Sequence, residues 1–208
     1  MPAIAADTNG IITAWLTAQS KVTTWHAEFQ QTRRLPTLTQ PLTTTGRVWF
    51  RAPNEFRWEL GIPARSIAVR HGNVVTMISP RLKLAEIYPV DKGRTGPWSD
   101  GLAMMEAGFP KSRAELESRF VVSQAEPAAK GHRVIMKPRS ETARRLLREV
   151  RLEFVLEPAR LLATEFEFAD GTVMRNDYRN QQSNKAVSDE LFQPVISADY
   201  RISHPLGK

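Results

Sequence analysis

Side chains able to do covalent or metal chemistry are few in this sequence, and they lie far apart. There is no cysteine, which excludes thiolate metal sites, disulfides and cysteine nucleophiles. The four histidines, His26, His71, His132 and His204, share no metal-ligand spacing. No Gly-x-Ser-x-Gly elbow and no glycine-rich phosphate loop occurs. Carboxylates do come in pairs, Glu55 with Glu59 and Glu165 with Glu167, as a glycoside hydrolase requires. Arg57 lies between the first two, and cross-strand ion pairing on a solvent face accounts for such carboxylates better than a paired-carboxylate hydrolase does. The expectation is a protein with no catalytic residues, no metal site and no cofactor. An envelope hydrolase is the contrary reading, and it needs a nucleophile beside His26 or His71.

Aromatic residues at two-residue spacing carry the stronger signal. The stretch GRVWFRAPNEFRWELGIP, 46–63, reads as two strands joined by a turn at Ala52-Pro53-Asn54. Phe56, Trp58 and Leu60 fall on one face of the second strand, and Glu55, Arg57 and Glu59 on the other. Trp25, Ala27 and Phe29 alternate in the same way with Thr24, His26 and Glu28. Such a face is either ordinary core or the lining of a site for an apolar guest.

Lysine and arginine outnumber aspartate and glutamate by 29 to 22, a net charge of +7. That balance suits nucleic acid, phospholipid headgroups or acidic proteins, and it also arises from arginines scattered over a solvated face. The densest basic segment is RSETARRLLREVR, 139–151. The aromatics lie on the apolar phase of the strands, opposite the charges and turned away from a polyanion, so nucleic acid is not the expected partner. No apolar run approaches the roughly 18 residues of a membrane-spanning helix. Ala3-Ile4-Ala5 has the small-x-small pattern of a secretory cleavage site with no apolar stretch before it, which reads as a mature exported protein or as a chance alanine-rich start.

The elements that would position these residues are mostly strands. A helix is expected over 9–20, capped by Asp7, Thr8 or Asn9, with Ile11, Ile12, Trp15, Leu16 and Gln19 as its apolar stripe. Period-two alternation then marks about eleven strands, at 24–33, 46–51, 54–60, 65–70, 73–79, 82–88, 120–126, 131–137, 150–157, 161–169 and 172–179. Turn signals such as Arg70-His71-Gly72-Asn73 and Ala169-Asp170-Gly171-Thr172 join them into an antiparallel meander. The Pro- and Thr-rich segment 35–45 reads as a loop. The segment 91–119 reads as two helical pieces, the second opening on Ser112 with Glu115 three residues on. Near the end come a helical turn at 188–191 and a short extended piece. One domain is expected, a strongly curved sheet with helices 9–20 and 98–119 on its concave side.

Several of these segments together resemble the LolA family, the periplasmic carriers of outer-membrane lipoproteins. SKVTTWHAEFQQ is similar to the family's first strand, GRVWFRAPNEFRWELGIPARSIAVRHGNVVTMISP to its G-x-L-W-x-x-x-P-x-x-F-x-W block, and LFQPVISADYRI to its closing F-x-x-x-P segment. The resemblance implies a mainly β fold with an α lid, an incomplete, half-open antiparallel β-barrel of about eleven strands covering its helices. It implies that Trp25, Phe29, Phe56, Trp58 and Leu60 line an apolar cavity, with Trp49 and Pro53 as framework of the turn. It implies a lid bearing Leu102, Met104, Met105 and Phe109. The family has an arginine directly before the turn proline; here Ala52 holds that place and Arg51, one position earlier, is the candidate latch. Implied partners are acylated lipoprotein or lipid cargo, an inner-membrane donor and an outer-membrane acceptor, with peripheral contact to anionic membrane, and the chain is expected to be a periplasmic monomer. The alternative on the same half-barrel is a periplasmic lipid-sensing or protein-interaction module.

Overall fold

The computed structural model describes residues 7–90, 110 and 112–206. Among them are twelve strands: β1 Thr24–Arg34, β2 Leu42–Arg51, β3 Glu55–Leu60, β4 Ser66–His71, β5 Val74–Ser79, β6 Leu84–Pro89, β7 Phe120–Pro127, β8 His132–Pro138, β9 Leu147–Leu156, β10 Ala159–Phe168, β11 Val173–Ser183 and β12 Arg201–Ser203. The helices are α1 Thr8–Gln19, α2 Arg113–Arg119 and α3 Glu141–Leu146. The strands are hydrogen-bonded in the order β12-β6-β5-β4-β3-β2-β1-β11-β10-β9-β8-β7, so that among the described residues β12 and β7 end the order and the sheet is open. The hairpins β3–β4, β4–β5 and β5–β6 are antiparallel, and β12 joins β6 in parallel.

Each of the eleven strands expected from period two is present, and the extended piece near the C-terminus is β12. One expectation needs correction. The segment 35–45 is not all loop, because β2 begins at Leu42: the β-branched Thr43, Thr44 and Thr45 suit an extended backbone. The basic segment 139–151 contains an element that the two-residue period did not mark. It opens with α3, whose start is fixed by Ser140 accepting a hydrogen bond from the Ala143 amide at 3.0 Å. The first helical piece expected in 91–119, with Leu102, Met104, Met105 and Phe109, lies outside the described residues.

Two compact units divide the chain, one formed from Met1–Lys21, Gln31–Thr43 and Thr95–Tyr178, the other from Val22–Gln30, Thr44–Arg94 and Arg179–Lys208. In the first unit α1 buries Ile12, Trp15 and Gln19, three positions on one helical face. Trp15 stacks on Phe154 of β9, ring centroids 4.2 Å apart. Around them close Leu116 of α2 and Phe120, Met136, Val150, Leu152 and Phe166 from the strands. α2 starts where the capping signature places it, with Ser112 Oγ accepting from the Glu115 amide at 3.1 Å. A buried polar chain crosses this core's edge: Gln31 donates to Asn176 Oδ1 (3.0 Å), Asn176 to Thr164 Oγ1 (3.1 Å), and Thr164 meets the Tyr178 hydroxyl (3.0 Å). Each member finds a partner, as burial of polar groups demands.

The opposite face of the same strands carries alternating charge. Arg151 binds Glu165 at 2.7 Å and Glu167 at 2.8 Å, while Glu153 takes Arg175 at 2.8 Å and Arg133 at 2.7 Å. Two of these pairs sit directly across from one another in the register, Arg151 opposite Glu165 and Arg133 opposite Glu153. The Arg175 hydrogen bond, seconded by Arg133, holds the Glu153 carboxyl down at about 2 against its ordinary 4.5. Because the native value lies below the unfolded one, Glu153 stabilises the fold above about pH 4.5 and that contribution disappears as pH falls through about 2. Glu153→Gln is expected to cost about 2 kcal/mol at neutral pH, the worth of a hydrogen bond to a charged group, and to flatten the acid slope of stability. Denaturant titrations at neutral and acid pH measure this; parallel slopes for both proteins would contradict it.

Candidate functional site

In the second unit the strand register gathers the aromatic face. Residues paired across antiparallel strands share a side, so Val48 lies with Trp58, Phe50 with Phe56, Trp58 with Ala68, and Ala68 with Met77. Phe29 joins them from β1, its ring tilted against Trp58 with centroids 4.5 Å apart. The close approach depends on Gly46: a Cβ there would overlap the Phe29 ring and the Glu59 carbonyl oxygen. Trp25, Phe29 and Phe56 are buried, whereas Trp58 and Leu60 are half-buried. Trp25 donates from its indole nitrogen to Gln181 at 3.2 Å. Thus all five cavity-lining candidates, Trp25, Phe29, Phe56, Trp58 and Leu60, belong to this unit. Arg70, which sequence reasoning did not single out, is on this face too, opposite Phe56 in the register and buried. Its place in an ordinary alternating strand, SIAVRH, offered no signal.

The other side of β2 and β3 holds Arg47, Trp49, Arg51, Glu55, Arg57 and Glu59. A solvent face was expected here, and it is instead covered by a short 3-10 turn, Asp189–Phe192, lying on β3 and β4. The cause is Phe192, whose side chain is fully buried there. Polar contacts surround it. Arg51 binds Glu55 at 2.6 Å and also Asp189, with its guanidinium carbon 4.6 Å from the Phe192 ring. Arg57 donates to the Leu191 carbonyl at 3.3 Å and to Glu59 at 2.7 Å, and Arg47 reaches Glu59 at 3.0 Å. The Arg51 hydrogen bond pulls the Glu55 carboxyl below its usual range, and His71, 2.6 Å away, adds to the pull. Arg51, the latch candidate, therefore stands on the side away from Phe56 and Trp58, and what it holds is the 189–192 segment.

His26 and His71 are on that same side. His26 stacks on Trp49, centroids 4.9 Å apart, and burial lowers its pKa. It borders a cavity of about 180 Å³ with Thr24, Trp25, Trp49, Lys185 and Leu191. Neither histidine faces the Phe56 and Trp58 side, so neither adjoins a guest held there.

A family model described as outer membrane lipoprotein carrier protein LolA matches residues 20–195. The chain belongs to the LolA family. Among curated proteins nothing matches it. Solved structures are similar to it at low identity, and the first of them shares its fold. An uncharacterized conserved protein from Thermus thermophilus has a TM-score of 0.55 at 12% identity, covering 94% of this chain and 98% of that one. A LolA superfamily protein from Nitrosomonas europaea has 0.46 at 12%, covering 91% and 98%. The lipoprotein LppX from Mycobacterium tuberculosis has 0.42 at 10%, covering 86% and 96%.

LolA-family membership makes sense of the open, mainly antiparallel sheet and of a face built from aromatics, since the family is generally one of non-enzymatic carriers. Among the described residues no helix is long and apolar enough to cross a membrane. Two packing predictions follow from the geometry. Gly46→Ala should destabilise the fold by about 1–3 kcal/mol, because a backbone carbonyl and a fully buried ring must both give way. On the far side, Phe192→Ala should cost about 3–5 kcal/mol, and Asp189→Asn at most about 1, since Asp189 is exposed. Chemical denaturation of the three variants measures both; an Asp189→Asn loss equal to that of Phe192→Ala would contradict the ordering.

Proposed function

We propose that this LolA-family chain is a periplasmic carrier that takes the acyl chains of lipoproteins or lipids against the Trp25, Phe29, Phe56, Trp58 and Leu60 face and delivers them toward the outer membrane. The supporting observation is the concentration of apolar side chains on one side of β2–β5, in a chain that the lipoprotein-carrier family matches over most of its length. The physical need is plain. Apolar burial is worth roughly 0.8 kcal/mol per methylene, so a chain of ~15 methylenes left in water costs on the order of 12 kcal/mol. Crossing an aqueous space with such cargo requires a dry surface that encloses it and later releases it. An open sheet suits this better than a closed barrel, because its edges are not hydrogen-bonded to each other. Half-burial leaves Trp58 and Leu60 with surface to give to cargo, while the buried Phe29 ring packs against Trp58. An inner-membrane donor and an outer-membrane acceptor complete the reading.

Lipid extraction and native mass spectrometry of protein purified from cells, together with uptake of a fluorescent fatty-acyl probe, test it. Wild-type protein should carry lipid and bind the probe. Trp58→Glu should reduce uptake at least about tenfold, since a half-buried charge faces the alkyl chain. Absence of lipid and of probe uptake in the wild type would overturn the reading.

A further inference from the structure

The second unit has two unlike ends. At one, the strand connections carry small or polar tips, Ala52-Pro53-Asn54 and Gly72-Asn73. At the other, two large aliphatic side chains stand in solvent: Ile62, 70% exposed, in the β3–β4 loop, and Leu82, 71% exposed, in the β5–β6 connection. The register puts both loops at the same end, because Leu60 pairs with Ser66 and Ser79 with Leu84. The two hairpins are neighbours through β4 and β5, so their tips are about 10 Å apart at ordinary strand spacing. Pro63 beside Ile62 is exposed as well.

Positive charge encircles these tips. Arg65 follows Ile62, and Arg81 and Lys83 flank Leu82; all three are exposed. Arg201, the first residue of β12, is brought to the same place by its pairing with Leu84, and its amide donates to the Lys83 carbonyl at 2.8 Å. The acidic residue among them is Asp199, bound to Lys83 at 2.8 Å. Four bases thus meet one acid around two exposed aliphatic tips. Scattered exposed aliphatics are unremarkable on any surface. Two of them at adjacent loop tips within a basic ring match the two layers of an anionic bilayer, phosphates outside and hydrocarbon within. Opposite charge and apolar depth favour this partner over a polyanion such as nucleic acid, which offers no apolar layer at its phosphates.

We infer that this end of the second unit docks on anionic membrane, with Ile62 and Leu82 entering the headgroup boundary and Arg65, Arg81, Lys83 and Arg201 contacting lipid phosphates. The inference deepens the carrier reading by naming how the protein meets the bilayer at which cargo is exchanged. Docking and cargo binding use different residues of the unit, so they fail separately.

The test is co-sedimentation of the purified full chain with vesicles of phosphatidylcholine alone and of phosphatidylcholine mixed with phosphatidylglycerol, across a salt series. Binding is expected on the mixed vesicles, weakening as salt rises. Arg65→Gln and Arg81→Gln should each weaken it about fivefold, the equivalent of about 1 kcal/mol per base near an anionic surface. The double variant Ile62→Glu with Leu82→Glu should lose it by more than about tenfold while retaining acyl-probe uptake, which shows that the protein is folded and the carrier face intact. No binding by the wild type, equal binding to both vesicle types, or full binding by the double variant would each overturn the inference. Loss of probe uptake in the wild type with vesicle binding intact would instead overturn the carrier reading.

Discussion

Successive side chains of a strand project to opposite faces, and each face of a sheet must meet something that suits it. The second unit is organised by that constraint. Along β3, Phe56, Trp58 and Leu60 commit one side to apolar contact, and Glu55, Arg57 and Glu59 commit the other to charge. A slip of one residue in pairing would exchange the two sides completely. The register therefore has to be held, and the fit of Phe29 over the bare Cα of Gly46 holds it at β1 and β2. From this follow the continuity of Val48, Phe50, Ala68 and Met77 with the aromatic cluster, and the placement of Arg51 on the reverse side.

The charged sides of the two units show how one sequence pattern serves two environments. In the first, Arg133, Arg151 and Arg175 alternate with glutamates across β8–β11, and the pairs satisfy one another in register. In the second, similar pairs lie beneath the 189–192 turn, where Glu59 is only 7% exposed. A carboxylate so enclosed needs both Arg47 and Arg57. The turn is anchored chiefly by its phenylalanine: burying a Phe side chain outweighs an exposed Arg–Asp pair by several-fold. Arg51 then works as a rim, covering the Phe192 ring with its guanidinium and closing the edge with Asp189.

Much of this was legible in the amino acids. The eleven longer strands announce themselves because half-burial forces period two, and the capping serine at 112 marked α2 correctly. The start of β2 at Leu42 was hidden by the prolines of 35–41, which read as loop. α3 was hidden because two turns of helix are too short to impose a period on a basic segment, leaving Ser140 as its one cue. The turn at 189–192 was legible as a helical turn at 188–191, but what it covers was not, because its partner face looked solvated with its charges alternating. Arg51 could be placed on a strand but its partner could not, since Asp189 is distant in sequence and fixed only by where Phe192 packs. Whether an aromatic is core or lining was never readable from spacing: Phe29 and Trp58 share a face and a contact, yet one is fully enclosed and the other half-buried.

The central claim is that an acyl chain lies against the face containing Trp58. The most direct measurement is quenching of tryptophan emission by a fatty acid brominated along its chain, compared between the wild type, with five tryptophans, and Trp58→Phe. Quenching requires near-contact, so the account predicts strong quenching in the wild type and a clear partial loss in Trp58→Phe, the remainder coming from Trp25 on the same face, under conditions where both bind the fatty acid. Equal quenching in the two proteins would place the chain elsewhere and contradict the account.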